Sequence, residues 1–258
     1  MSKRKKLKSN LAWSTTDRIV VQGHDLVALI GNTSLGDFAF LELKGRLPTP
    51  EESALFNAIA VTLVEHGLTP SAIAARLTYF GAPESLQGAV AAGLLGMGAR
   101  FGGSIEEAAR TLQEALASAA PDADPRDLAR EIVARYQKAK QPIGGLGHPI
   151  HKPADPRTAR LFAIAADNGL SGRHIELMQL IAEEASAAYR RDLPVNATGA
   201  IGAILGELDF PWQVGRGLAV IARAIGLVAH IQEELAEPLA GEIWSRVDEE
   251  ASEHNRTD

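Results

Sequence analysis

The residues most suited to chemistry stand in one irregular stretch, Gln141-Pro142-Ile143-Gly144-Gly145-Leu146-Gly147-His148-Pro149. Three glycines and two prolines bar it from a regular helix. Glycines let a backbone approach a ligand closely, and an imidazole exchanges a proton near neutral pH. His151, Lys152 and Arg157 follow within ten residues, a cluster suited to a carboxylate or a phosphate. A lone loop histidine can equally be structural. The glycine spacing is not that of a dinucleotide-binding loop, since no strand precedes it.

The other histidines have simpler readings beside the functional one. His66 precedes Gly67 at a predicted helix end, where it could interact with the last carbonyls. His230 lies inside an apolar helix and reads as a packing histidine. No His-x-x-x-His pair and no carboxylate cluster at metal spacing is present, so no metal is expected. Gly-x-Ser-x-Gly is absent, which argues against an ordinary serine hydrolase.

The elements that must position these groups are helical. Thr49-Pro50-Glu51-Glu52 starts a helix expected to reach about Glu65, Pro70-Ser71 one that ends at Gly81, and Pro83-Glu84 a third. The small residues from Ala89 to Gly98 permit close helix contact. Ser104-Ile105-Glu106-Glu107 has capping-box spacing, which predicts a helix from Ile105. Asp124-Pro125 opens another, with Leu128, Ile132, Val133 and Tyr136 on one face. Helical periodicity resumes after Pro156, restarts at Ser171 and runs to about Tyr189. Two apolar helices follow over 198–208 and 214–235. The expected fold is all-α, with at least eight helices and a short β-like stretch at Arg18 to Val21.

Composition agrees with this. Hydrophobic residues make up 46% of the 258 residues, charged ones 22% and aromatic ones only 5%, so the core must be aliphatic and alanine-rich. The absence of cysteine excludes disulfides and thiol chemistry and is compatible with a cytoplasmic location. A net charge of −6 gives no case for nucleic-acid binding. No apolar run of roughly 18 residues stands out, so no membrane span is expected. Lys3, Arg4, Lys5, Lys6 and Lys8 make a basic tail that reads as solvated and disordered, and Glu249 to Asp258 reads as a polar tail.

Several segments together resemble one family. Gly145-Leu146-Gly147-His148, continued by Asp155-Pro156-Arg157, resembles the Gly-x-Gly-His…Asp-Pro-Arg signature of the citrate synthase superfamily. Leu193-Pro194-Val195-Asn196-Ala197-Thr198-Gly199-Ala200 resembles its Asn-Val-Asp-x-x-x-Gly segment, and Ala222-Arg223 through Ala229-His230 its Ala-Arg-x-x-Gly-x-x-Ala-His helix. Gly45 to Glu52 and Glu65-His66-Gly67 also fit. Gly93 through Gly103 is most similar to the citrate-cleaving module of ATP-citrate lyase and to stand-alone citryl-CoA lyases.

The resemblance implies a homodimer, or a higher homo-oligomer, of two-domain helical protomers. Residues 1–17 would be a basic tail, 18–104 with 201–258 a large domain, and 105–200 a small one. It implies a coenzyme A thioester as substrate, an oxo- or hydroxy-acid partner and no permanently bound cofactor. His148 would be catalytic, with His66 and Asn196 beside it. Arg157, Arg223 and Phe101 would bind the hydroxy acid, while Gly145, Gly147, His151 and Lys152 would face coenzyme A. The implied reaction is cleavage of a citryl-CoA-type thioester to acetyl-CoA and oxaloacetate.

Three departures qualify it. Asn196 stands where the family's proton-exchanging aspartate is expected, and an amide has no useful acid or base form; water or the Thr198 hydroxyl would have to relay the proton. Phe101 replaces a histidine. Pro238-Leu239-Ala240 stands where condensing members donate an arginine across the dimer. Cleavage of a citramalyl- or malyl-type thioester, a condensing synthase and a non-catalytic binding protein therefore stay open as alternatives.

Overall fold

A computed structural model describes residues 7–99, 101–147 and 154–255. His148, His151 and Lys152, like the basic tail's Lys3, Arg4, Lys5 and Lys6, lie outside the described residues. Regular structure begins at Ala12, inside the stretch expected to be disordered. Ala12–Ser14 (β1) pairs antiparallel with Ile19–Val21 (β2), which pairs antiparallel with His24–Asp25 (β3). Gln22 and Gly23 both take positive φ, the twist that a two-residue hairpin turn requires.

Twelve helices follow among the described residues. Leu26–Leu29 (α1) is a single turn capped by Asp25, and Leu35–Lys44 (α2) is capped by Ser34. Pro50–Val64 (α3) carries the reciprocal capping box of Thr49 and Glu52, and Thr69 caps Pro70–Gly81 (α4). Leu86–Leu95 (α5) starts after Ser85, not at Pro83 as expected. Gly103–Ser118 (α6) also departs from expectation. The Gly98 carbonyl accepts from the amides of Phe101, Gly102 and Gly103, and that turn starts the helix before Ser104 can cap it.

Asp124 caps Pro125–Ala139 (α7), and Asp155 caps Pro156–Asp167 (α8). Arg173–Tyr189 (α9) has no cap from Ser171. The Glu207 carboxylate instead accepts from the His174 and Ile175 amides at 2.9 and 3.0 Å. Ala197–Glu207 (α10) and Val214–Ala236 (α11) match the expected apolar helices. Ala240–Ser252 (α12) and a 3-10 turn at Glu253–Asn255 occupy most of the expected polar tail.

The helices pack as two groups. α6 to α10 form one, while α2 to α5, α11 and α12 form the other; α3 meets α8 and α6 meets α11 at the junction. The expected domain boundary at residue 200 falls inside α10. Small residues set the spacings. A Cβ on Gly202 of α10 would lie 2.8 Å from Ala108 Cβ on α6, and one on Gly93 of α5 would lie 2.7 Å from Leu227 on α11. Phe40, Phe56 and Phe210 concentrate scarce aromatic area in one cluster, with ring centroids 5.4 to 5.7 Å apart.

α11 overturns one expectation. Its 23 residues include an 18-residue window of mean hydropathy 1.5, long and apolar enough to cross a membrane. Its inward face, however, carries Arg223, His230 and Glu234 and packs on α3, α4, α5 and α6. That is the pattern of a core helix.

Candidate active site

The site lies where the end of α3 meets the start of α8. Beyond Val64, the Glu65 carboxylate turns back to accept the amides of His66 at 2.8 Å and Gly67 at 2.6 Å, and Gly67 takes φ of +69°. This turn presents His66, whose Nδ1 lies 3.3 Å from Arg157 Nη1. A guanidinium only donates, so His66 Nδ1 accepts and its ring proton sits on Nε2. The two residues, 91 positions apart, therefore form one unit.

Asp155 fixes that unit to α10. Its oxygens take Arg157 Nε at 3.0 Å and Nη2 at 2.8 Å, a bidentate charged pair. They also accept the Arg157 amide, which caps α8, and the Ala197 amide at the start of α10. Burial alone would push this carboxyl up. Its bonds to the Arg157 side chain and to the two amides win, and hold it down to about 2.

The glycine loop is clipped to the same place. Leu146 bridges Val195 in antiparallel fashion, and the Gly147 amide donates to Pro194 O at 2.8 Å. Asn196 donates from its backbone to Gly145 O at 2.9 Å and from Nδ2 to Gly147 O at 2.6 Å. Its Oδ1 accepts from the Thr198 and Gly199 amides and the Thr198 hydroxyl. Both ends of the amide are thus engaged in holding the loop and capping α10. Gly145 and Gly199 touch backbone to backbone: a Cβ on Gly199 would lie 2.4 Å from Gly145 O. The stretch holding His148, His151 and Lys152 leaves from Gly147 and returns at Asp155, so both its anchors sit on 194–197.

Arg223 is the least satisfied charge. Only 8% of it is exposed, and its Nε and Nη1 have no hydrogen-bond partner among the described residues. Burial lowers its pKa, partly offset by the Glu65 charge. A buried guanidinium without an anion is costly, so this environment favours binding one. Phe101, by contrast, is half-exposed in the turn ahead of α6.

A cavity of about 440 Å³ is lined by Lys140, Pro142, Ile143, Leu146, Tyr189 and Arg191, among others. Apolar side chains and two cations in one lining suit a ligand with an aliphatic arm and phosphates. Among the described residues no group of three or more metal-ligating side chains is arranged to hold an ion.

Sequence reasoning assigned no separate role to Asp155 or Glu65, although Asp-Pro at a helix start signals a cap. It also missed Arg76, 1% exposed on α4, which has no local signal at all.

The family model "Citrate synthase, C-terminal domain" matches residues 32–244. ATP-citrate synthase beta chain protein 2 of Arabidopsis thaliana is 29% identical over 217 residues, covering 77% of this chain and 34% of that protein. The chain thus spans about a third of the length of that curated relative. The solved citryl-CoA lyase from Hydrogenobacter thermophilus superposes with a TM-score of 0.81 at 37% identity, covering 90% of this chain and 88% of that one. ATP citrate lyase from Methanothrix soehngenii, solved with citrate and coenzyme A, gives a TM-score of 0.77 over 92% of this chain and 40% of that one. At 23% identity it speaks for the fold alone.

Proposed function

The chain belongs to the citrate synthase family, and from that premise we propose that it is a carbon–carbon lyase that cleaves citryl-CoA to acetyl-CoA and oxaloacetate. The observation that carries this reading is Arg223, a buried guanidinium with two nitrogens unpartnered among the described residues, on the helix whose His230 meets Glu65 of the His66 turn. Carboxylates of the hydroxy acid answer it. Arg157, already oriented by Asp155, holds a second carboxylate, and His66 Nε2–H donates to the oxygen that changes from hydroxyl to ketone.

In the cleavage, a base takes the hydroxyl proton and that oxygen becomes the ketone of oxaloacetate. The electron pair of the breaking carbon–carbon bond passes into the thioester as an enolate, which is protonated to acetyl-CoA. His148, outside the described residues, is the proposed base, and His151 and Lys152 the proposed partners of the coenzyme A phosphates. Lys140 and Arg191 in the cavity lining support placing coenzyme A beside the loop. Asn196 acts by holding the loop and not by moving a proton. Coenzyme A enters as substrate, with no permanently held group.

A homodimer is the proposed assembly. Ile221, Ile225, Val228 and Leu235 are exposed apolar residues at helical spacing along α11. Light scattering behind size exclusion tests it, and a monomer at micromolar concentration refutes it.

Pro238-Leu239-Ala240 favours a second substrate reading. The Leu239 and Ala240 amides are held by Glu234, and no cation is offered in that tripeptide. The test therefore presents citryl-CoA, citramalyl-CoA and malyl-CoA, following oxaloacetate from the first by malate dehydrogenase and loss of NADH absorbance. Turnover of citryl-CoA is expected. No turnover of any of the three, despite coenzyme A binding, would sink the lyase reading.

A further inference from the structure

The inward face of α11 carries polar groups that the proposed chemistry leaves unused. Arg76 of α4 is 1% exposed, and its Nη1 donates to Glu234 Oε2 at 2.7 Å, while Nη2 also meets Glu233. Its Nε and Nη2 face His230 Nδ1 at 3.2 and 3.0 Å. Arginine has no acceptor, so Nδ1 accepts and the His230 proton sits on Nε2. That nitrogen lies 3.1 Å from Glu65 Oε1, the same oxygen that takes the His66 and Gly67 amides. At the far end, Glu234 Oε1 takes the Leu239 and Ala240 amides, each at 2.8 Å.

We propose that His230 is a positioning residue for His66. Arg76, His230 and Glu65 form a directional strut: Arg76 sets the His230 tautomer, His230 donates to Glu65, and Glu65 holds the backbone of the His66 turn. The strut is short because Gly226, one turn before His230 on α11, lies against Val64, where a Cβ would come 2.1 Å from the carbonyl. Apolar side chains of equal volume would pack α4 on α11 without the cost of burying charge. They would give Glu65 no donor, and the carboxylate would be free to swing from the two amides. A strut of this kind fixes the imidazole against Arg157 before substrate arrives. The consequence for catalysis rests on the lyase reading; the consequence for the turn does not.

The test compares two polar variants of the full chain. His230→Asn keeps an acceptor for Arg76 but is too short to reach Glu65, whereas His230→Gln can accept from Arg76 and donate to Glu65. Amide hydrogen exchange at His66 and Gly67 and steady-state cleavage of citryl-CoA are both measured. In His230→Asn, exchange at those two amides is expected to quicken about tenfold, and kcat to fall about 100-fold with the thioester KM within about threefold. His230→Gln should recover most of both. Wild-type exchange in His230→Asn, or equal losses in the two variants, overturns the proposal. Absence of turnover in the wild type instead refutes the lyase reading and leaves the exchange arm to decide. Should His230→Asn fail to fold, Glu65→Gln weakens the same link at its exposed end and must quicken the same two amides.

Discussion

Asp155 grips Arg157 through both carboxylate oxygens, at 3.0 and 2.8 Å, and so aims a guanidinium that reaches His66 in the turn after α3. The pair joins the two helix groups at the place where substrate is proposed to bind. A buried carboxylate committed to four donors is also a pH-sensitive element of stability.

Asp155 has its folded-state pKa depressed from 3.8 to about 2. A depressed carboxyl contributes stability above its unfolded pKa and loses it as pH falls through the folded one. Some 2 kcal/mol should therefore be present at pH 5 and above and fade between about pH 4 and pH 2. Urea unfolding of the wild type and of Asp155→Asn over this range checks it. The variant should be less stable at pH 6 and flatter below pH 4; parallel curves would contradict the assignment.

Replacing Arg223 should trade stability for function. Arg223→Met removes a buried charge with two nitrogens unpartnered among the described residues and keeps the side chain's volume, so thermal stability should rise by roughly 1 kcal/mol or more. Turnover should fall by at least about 100-fold, about 3 kcal/mol of lost carboxylate binding. Oxaloacetate should raise the melting temperature of the wild type and not of the variant. A variant that is both less stable and active would show that Arg223 is satisfied by protein groups.

Asn196→Asp would restore an acidic group, but it cannot donate to Gly147 O. The carboxylate would instead face that carbonyl at about the present 2.6 Å separation. The cap on α10 survives, since aspartate is a good N-cap, while the loop is pushed away. Stability should drop by about 1–2 kcal/mol and lyase turnover with it, with no gain in condensation of acetyl-CoA with oxaloacetate. A gain in condensation would mean that Asn196 serves as a blocked acid–base group and not as a clip.

Gly145→Ala should cost about 3 kcal/mol or prevent folding, because φ is +89° and the new Cβ would lie 2.6 Å from Gly199 Cα. Thermal melts of Gly145→Ala beside Gly147→Ala separate the two causes. Gly147 also has positive φ, but among the described residues a Cβ there meets only Leu193 at 3.5 Å, so its penalty should be about 1 kcal/mol.

What could be read from sequence was what is local. Thr49-Pro50 and Asp124-Pro125 start helices where expected, as do Pro70 and Pro156, because cap and proline act within one turn. Ser104 misled because the competing signal was a glycine turn around the Gly98 carbonyl. Ser171 misled because its place is taken by Glu207, a residue more than thirty positions away. Arg157 and Arg223 were singled out as anion ligands only through the family resemblance, and the structure adds the surroundings that the proposal uses: Asp155 beside Arg157 and burial around Arg223. His230 passed for a packing histidine, since nothing near it hints at Arg76, 154 positions away in the chain. α2 and α12 were not foreseen.

The contact between Gly145 and Gly199 carries a consequence for how this protein can change over generations. Most crowded positions in a core can be rescued by shrinking a neighbour. Here the neighbour is the peptide backbone itself, and the atom in the way is a carbonyl oxygen or an α-carbon. No second substitution relieves it. The two positions therefore behave as a single letter in any mutational library, and diversity around this loop must be sought at its flanks, in Gln141 to Ile143 and in Asp192 to Pro194.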